Sequence, residues 1–267
     1  MTRITFLGTG GGRHATIYQT RSTGGFILDS GRRIHVDPGP GALTNMKHSK
    51  LDPADTDAIL ISHCHPDHYS DAEVLIEGMC KGGLERRGGL ICSESVLNGF
   101  GGIGPCISPY HQNYPKCKRT VKAGDKFRVG MLDIDVTRSD HGDLSTVGFK
   151  FNTEHGIVSY VSDTSFSKDI AEQHIGSRVL MLPITTPDDK RIKGHMCTHD
   201  AIDFVNIVKP EITLFLHMGI YVMKFGPDAQ AEMVAKATGH DVIAADDLMV
   251  VDIDDHITIR RSGSYNI

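Results

Sequence analysis

Residues 63–68 read His-Cys-His-Pro-Asp-His, which puts His63, His65, Asp67 and His68 within six positions. The apolar run Ala58-Ile59-Leu60-Ile61 before them reads as a buried strand. Ser62 ends the run and Pro66 forces a turn inside the cluster. A strand that delivers these side chains into a tight loop can reach two cations at once. His63 and His65 serve one, and the adjacent Asp67 and His68 serve the other. Imidazole and carboxylate together suit Zn²⁺, with Mn²⁺ or Fe as weaker options. Further along, His141, Asp163 and His217 each stand just past an apolar run. From there, residues far apart in sequence can converge on one sheet edge.

The elements that must hold these residues follow from short apolar runs and their breakers. Arg3–Leu7 reads as a strand that leads into Gly8-Thr9-Gly10-Gly11-Gly12. This loop lacks the Lys-Ser/Thr of a phosphate cradle and the spacing of a dinucleotide site, so its glycines predict close backbone approach beside the metal site. Gly25–Asp29 and Arg33–Asp37 read as a hairpin turning at Ser30-Gly31, followed by a helix over Ala42–Lys47. Asp71–Met79 reads as a helix capped by Ser70 or Asp71, Gly89–Cys92 as a strand and Glu94–Leu97 as a short helix. Gly99–Tyr114 reads as a long loop, where Tyr110, His111 and Tyr114 are positioned to touch substrate.

Phe127–Val129 with Leu132–Thr137, and Val147–Phe151 with Ile157–Val161, read as two further hairpins. Helix Lys168–His174 precedes strand Val179–Leu182. An amphipathic helix over Thr198–Val208 leads to a buried strand at Ile212–Leu216. Helix Asp228–Thr238 lies between Pro227 and Gly239. Strands Leu248–Asp252 and Ile257–Arg260 close the chain.

At 267 residues and 39% hydrophobic content, the chain has room for one large α/β domain spanning 1–267. No apolar run approaches a membrane span, and the N-terminus goes straight into a strand with no signal peptide, which predicts a cytoplasmic location. The net charge of −5 argues against a general nucleic-acid binder. Cys80, Cys92, Cys106 and Cys117 crowd one region without a CxxC pair. That reads as mostly buried free thiols, with a structural zinc knot as the alternative.

The His-x-His-x-Asp-His motif, followed by a later His, an Asp and a final His, resembles the metal-binding signature of the metallo-β-lactamase superfamily. The Phe-Leu-Gly-Thr-Gly opening and Gly194-His195-Met196-Cys197-Thr198-His199-Asp200-Ala201 resemble its ribonuclease Z-like phosphodiesterase branch. The resemblance implies an αββα sandwich, with two mixed sheets face to face and helices outside. It implies that His63, His65 and His141 hold one metal, that Asp67, His68 and His217 hold a second, and that Asp163 bridges both. Asp37 is implied as the carboxylate that orients a ligand histidine. Two divalent ions lower the pKa of a bridging water, and the resulting hydroxide attacks phosphorus or a carbonyl. Asp67 orients it or accepts a proton. His195 acts as general acid or phosphate contact, with His199 on the following helix as a weaker rival. A homodimer is implied as well, with region 78–120 as lid or interface.

Three departures distinguish the chain from ribonuclease Z. Gly39-Pro40-Gly41-Ala42-Leu43 stands where that family has Gly-Glu-Gly-Thr-Gln. Pro183 stands where a glutamate partners the catalytic histidine. The interval His141–Asp163 is too short for a tRNA-gripping arm. The expected activity is therefore a metal-dependent phosphodiesterase, on a small or cyclic phosphodiester in preference to an RNA 3′ end. An ester, lactone or thioester hydrolase of the same fold is the alternative, and a non-catalytic metal-binding protein is the third reading.

Overall fold

The computed structural model of the protein describes residues 1–261. Its first sheet contains β1 (Thr2–Gly8), β2 (Thr23–Asp29), β3 (Arg33–Val36), β4 (Ala58–Ile61), β5 (Gly89–Cys92) and β6 (Cys117–Thr120). The second contains β7 (Lys126–Val129), β8 (Leu132–Arg138), β9 (Val147–Thr153), β10 (Gly156–Tyr160), β11 (Ser177–Pro183), β12 (Ile212–Leu216) and β13 (Asp241–Ala244). The chain then returns to the first sheet as β14 (Val250–Ile253) and β15 (Ile257–Arg260). The strand orders are β15-β14-β1-β2-β3-β4-β5-β6 and β13-β12-β11-β10-β9-β8-β7. Both sheets are mixed. Antiparallel hairpins give way to parallel pairs from β3 to β6 and from β10 to β13.

Helices fill the connections: α1 (Gly12–Tyr18), α2 (Ala42–His48), α3 (Pro66–Tyr69), α4 (Ala72–Met79), α5 (Glu94–Leu97), α6 (Pro109–Gln112), α7 (Lys168–Glu172), α8 (Thr198–Val208), α9 (Ile220–Phe225) and α10 (Pro227–Thr238). Among the described residues no helix is long and apolar enough to cross a membrane. Three buried clusters give the layers. Phe6, Phe26, Leu60, Val136, Phe149, Phe151 and Met181 interdigitate between the two sheets. Leu75, Ile76 and Met79 of α4 pack with Met46 on the outer face of the first sheet. Ala201, Phe204 and Val205 of α8 and Val234 of α10 cover the outer face of the second. This is the expected αββα sandwich, with central strands such as β4 and β12 buried on both faces.

The differences from the sequence reading are local. Pro66 turns the chain by starting α3, where its missing N–H costs nothing. Asp71 stands at the N-terminus of α4 without a side-chain capping bond, and its carboxylate accepts from the backbone N–H of Leu43 instead (3.2 Å). The 99–114 segment contains α6 and is tied to α4. The Ser108 N–H donates to Glu73 (2.6 Å), and His111 Nε2 lies 3.1 Å from Glu77. α1, β6, β13 and α9 have no counterpart in the sequence reading; β6 lacks apolar alternation, whereas β13 is the short apolar run Val242-Ile243-Ala244. All six cysteines are free thiols, and among the described residues none joins a metal-binding cluster.

Two core histidines make folding pH-dependent. His174 is fully buried beside Phe204, and neither ring nitrogen has a hydrogen-bond partner among the described residues. Burial, with a contribution from Lys150, holds its pKa down at about 3. Burial likewise holds His35 at about 4, against its Nε2 contact with the Gly24 carbonyl. The unfolded chain titrates these groups near 6.5 and so binds protons that the folded chain refuses. Their neutral forms leave stability intact above that pH. Stability is lost as pH falls from 6.5 toward 4 for His35 and toward 3 for His174, by up to about 1.4 kcal/mol per unit for each group. His174→Leu should therefore show a smaller drop in Tm between pH 6.5 and 4.5 than the wild type. Equal drops would contradict this account.

Candidate metal centre

β4 ends at Ile61, and the next turns of chain place His63 and His65 beside His141, which follows β8. The Nε2 atoms of His63 and His141 each lie 3.0 Å from Nδ1 of His65. The outer nitrogens fix where the protons sit. His141 Nδ1 faces the Gly194 carbonyl at 2.7 Å, so it carries the ring proton. The Ser62 hydroxyl donates to Asp37 (2.7 Å) and so accepts from His63 Nδ1 at 3.0 Å. Both Nε2 atoms are left with bare lone pairs pointing at a nitrogen with one proton at most. A cation among the three resolves the conflict.

A second group forms beside it. His217 Nε2 lies 3.3 Å from Asp67 Oδ2, and His68 Nε2 lies 3.7 Å from the same oxygen. Asp163, just past β10, joins the groups through one atom. Its Oδ2 is 3.1 Å from His217 Nε2, 3.6 Å from His68 Nε2, 3.7 Å from His141 Nε2 and 3.9 Å from His63 Nε2. His68 Nε2 and Asp163 Oδ1 are buried with no hydrogen-bond partner among the described residues, a costly condition that a bound cation relieves. The seven residues expected as ligands are thus together, and the donor set fits divalent metal ions.

A layer of partners orients them. Asp37 accepts from the backbone N–H of Ser62 (2.7 Å), the Ser62 hydroxyl (2.7 Å), the Tyr160 hydroxyl (2.6 Å) and His68 Nδ1 (2.9 Å). Its proton on Nδ1 leaves Nε2 of His68 to face the centre. Asp37 and His217 both adopt left-handed backbone (φ 52 and 51), a strained state for non-glycine residues that the surrounding bonds hold in place. Asp143 accepts from the N–H of Cys64 (3.0 Å) and from the Ser95 hydroxyl, which clasps the signature loop to the His141 loop. The Thr185 hydroxyl lies 3.1 Å from His217 Nδ1 and 3.2 Å from His195 Nδ1. Tyr160, Asp143 and Thr185 were missed in the sequence. Thr185 lies just past the apolar run Val179–Leu182, the same signal that pointed to His141, Asp163 and His217. The expected close approach is at Gly11, where a Cβ would come within 2.2 Å of the His217 ring. Next to it, the Gly12 N–H donates to Asp67 Oδ2 (3.0 Å).

Charge is uneven across the site. Burial, with neighbouring imidazoles, pushes His63 and His65 down. Burial opposes protonation of His68 and His217 too, but the carboxylates around them prevail. His68 is held well above the ordinary range by Asp163, Asp67 and Asp37, and His217 is raised to about 9 chiefly by Asp163. Asp67 and Asp163 stay ionised despite burial because His68 and His217 hold them down. Without cations, protons on imidazole thus do part of the neutralising.

His195 lies at the rim, 19% exposed, with Nδ1 3.7 Å from Asp163 Oδ2. Burial brings its pKa to about 4. His199 is exposed at the start of α8. Tyr110 and His111 sit on α6, and their side-chain contacts are with Tyr114, Ser108 and the α4 carboxylates rather than with the cluster. Pro183 ends β11, and the Nδ1 side of His195 belongs to Thr185. The interval from His141 to Asp163 is occupied by the β9–β10 hairpin, with no arm.

A family model described as beta-lactamase superfamily domain matches residues 32–218. The uncharacterized protein MJ1374 of Methanocaldococcus jannaschii is 41% identical over 245 residues, 91% of each chain. A ribonuclease Z of Methanopyrus kandleri is 30% identical over 153 residues, 55% of this chain and 49% of its own. The crystal structure of a new diphosphatase from the PhnP family superposes with a TM-score of 0.71 at 15% identity, covering 95% of this chain and 98% of that one.

Two substitutions test the geometry by metal quantification. Gly11→Ala should displace His217 and lower the metal content while the fold survives. Asp37→Asn should weaken binding about 10–100-fold, the usual cost of losing a ligand's outer partner. Wild-type occupancy and affinity in both variants would show that these contacts do not shape the site.

Proposed function

The chain belongs to the beta-lactamase superfamily, the group of metallo-β-lactamase-fold metal-dependent hydrolases, and from that premise we propose that it is a phosphodiesterase working with two divalent cations, most naturally Zn²⁺. The observation that carries the proposal is the single oxygen, Asp163 Oδ2, lying within 3.9 Å of nitrogens from both ligand groups. His63, His65 and His141 would hold one cation, Asp67, His68 and His217 the other, and Asp163 would serve both. Bound there, divalent ions supply Lewis acidity and water of lowered pKa.

The protein's own groups do the rest. Asp67, fixed by the Gly12 N–H, orients the attacking water or takes its proton. His195, at the open rim, contacts the phosphoryl group or the leaving oxygen. Phosphorus chemistry is favoured over ester or lactone hydrolysis by the names of two relatives, a ribonuclease Z at partial length and a diphosphatase of like fold. The lack of an arm between His141 and Asp163 supports a small or cyclic phosphodiester over a tRNA precursor.

Hydrolysis of bis(p-nitrophenyl) phosphate by metal-quantified protein tests the proposal. Turnover should be lost on chelation and should fall about 10²–10⁴-fold in His195→Ala at unchanged metal content. Two bound metals without turnover, alongside cleavage of a lactone or thioester, would overturn it.

A further inference from the structure

We propose that Thr185 is a positioning residue that fixes the ring proton of His195 on Nε2, the nitrogen left to face substrate. The inference rests on the two-cation reading of the site. With a cation at Nε2 of His217, the remaining proton of that ring is on Nδ1. That atom lies 3.1 Å from Thr185 Oγ1, which accepts from it. The hydroxyl has one hydrogen to give, and among the described residues the other polar atom within hydrogen-bond distance of it is His195 Nδ1, 3.2 Å away. Nδ1 of His195 therefore accepts, and its ring proton sits on Nε2.

Among the described residues no other group is within hydrogen-bond range of that nitrogen. Asp163 Oδ2, at 3.7 Å, is beyond hydrogen-bond range. The rings of His141 and His217 flank His195 at 4.9 Å and 5.7 Å between centroids. The hydroxyl is held in place as well. The Thr185 N–H donates to the Met196 carbonyl at 3.1 Å. The Thr185 carbonyl packs so closely on Gly219 that a Cβ there would approach to 2.1 Å.

The polarity is the reverse of what a carboxylate would impose. A glutamate, the partner implied by the ribonuclease Z resemblance, only accepts, and it would draw the His195 proton to Nδ1. Here a hydroxyl passes the donor direction on from His217. His195 then offers an N–H to a phosphoryl or leaving oxygen as a neutral ring, with no imidazolium required.

The test is a two-bond ¹H–¹⁵N correlation spectrum of zinc-saturated, ¹⁵N-labelled protein, with His195→Gln identifying the ring signals. The wild type and Thr185→Ser should show the Nε2–H tautomer. Thr185→Val, at equal zinc content, should show a mixture with Nδ1–H and a kcat reduced about 10–100-fold with KM unchanged, restored in the serine variant. An Nδ1–H ring in the wild type, or an unaltered tautomer in Thr185→Val, would overturn the inference. Two bound zincs and an Nε2–H ring without phosphodiester turnover would sink the proposed activity and leave this inference standing. Failure to take up any cation would overturn both.

Discussion

The structure is organised around the cost of burying Asp163. Its carboxylate is almost wholly removed from water, and one of its oxygens has no hydrogen-bond partner among the described residues. An ion so placed is tolerable only among compensating charges. Nitrogens of His63, His68, His141 and His217 surround its other oxygen. To hold a cation there, those nitrogens would have to carry no proton on the side that faces it. Asp37, Ser62, Thr185 and the Gly194 carbonyl meet that requirement by engaging the far side of each ring. A buried charge at the centre thus sets the tautomers at the periphery.

The sandwich supplies the rigidity this needs. β4 belongs to one sheet, and β8, β10 and β12 belong to the other, so the two sets of ligands are fixed by the packing of Leu60, Val136, Phe149 and Met181 between them. The loops that follow are fixed individually. Asp143 clasps two of them together, and the strained backbone at His217 is pinned between Gly11 and Thr185. Close-packed interiors transmit small displacements, so a methyl group at residue 11 is a change to the metal centre.

Much of this was legible in the chain. Short apolar runs ending in His, Asp or His pointed to the side chains that the structure brings together, because a strand end is a feature of sequence. The partners were less visible. Tyr160 sits in an apolar run and reads as core, and only the facing position of Asp37 makes its hydroxyl matter. Asp143 reads as one polar loop residue among several until Cys64 and Ser95 close on it. Thr185 follows a strand as the ligands do, but threonine carries no metal-site signal of its own. β6, with exposed Cys117, Lys118 and Arg119, lacks the alternation that marks a strand, and its pairing with β5 decides its conformation. Tyr110 and His111 show the converse. Their types suit substrate contact, yet the helix that bears them is tied to α4.

The division of the ligands between the sheets also bears on how the molecule comes to exist. His63 through His68 are close along the chain, and a nascent polypeptide presents them early. His141, Asp163 and His217 arrive with the second sheet, separated from them by loops whose closure is entropically slow. The full set of candidate donor side chains is therefore together only once the halves have docked. A metal ion held by the whole set more tightly than by the His63–His68 segment alone would add to folding stability. Chelation of such an ion would accordingly act on the alignment of the two sheets as well as on chemistry.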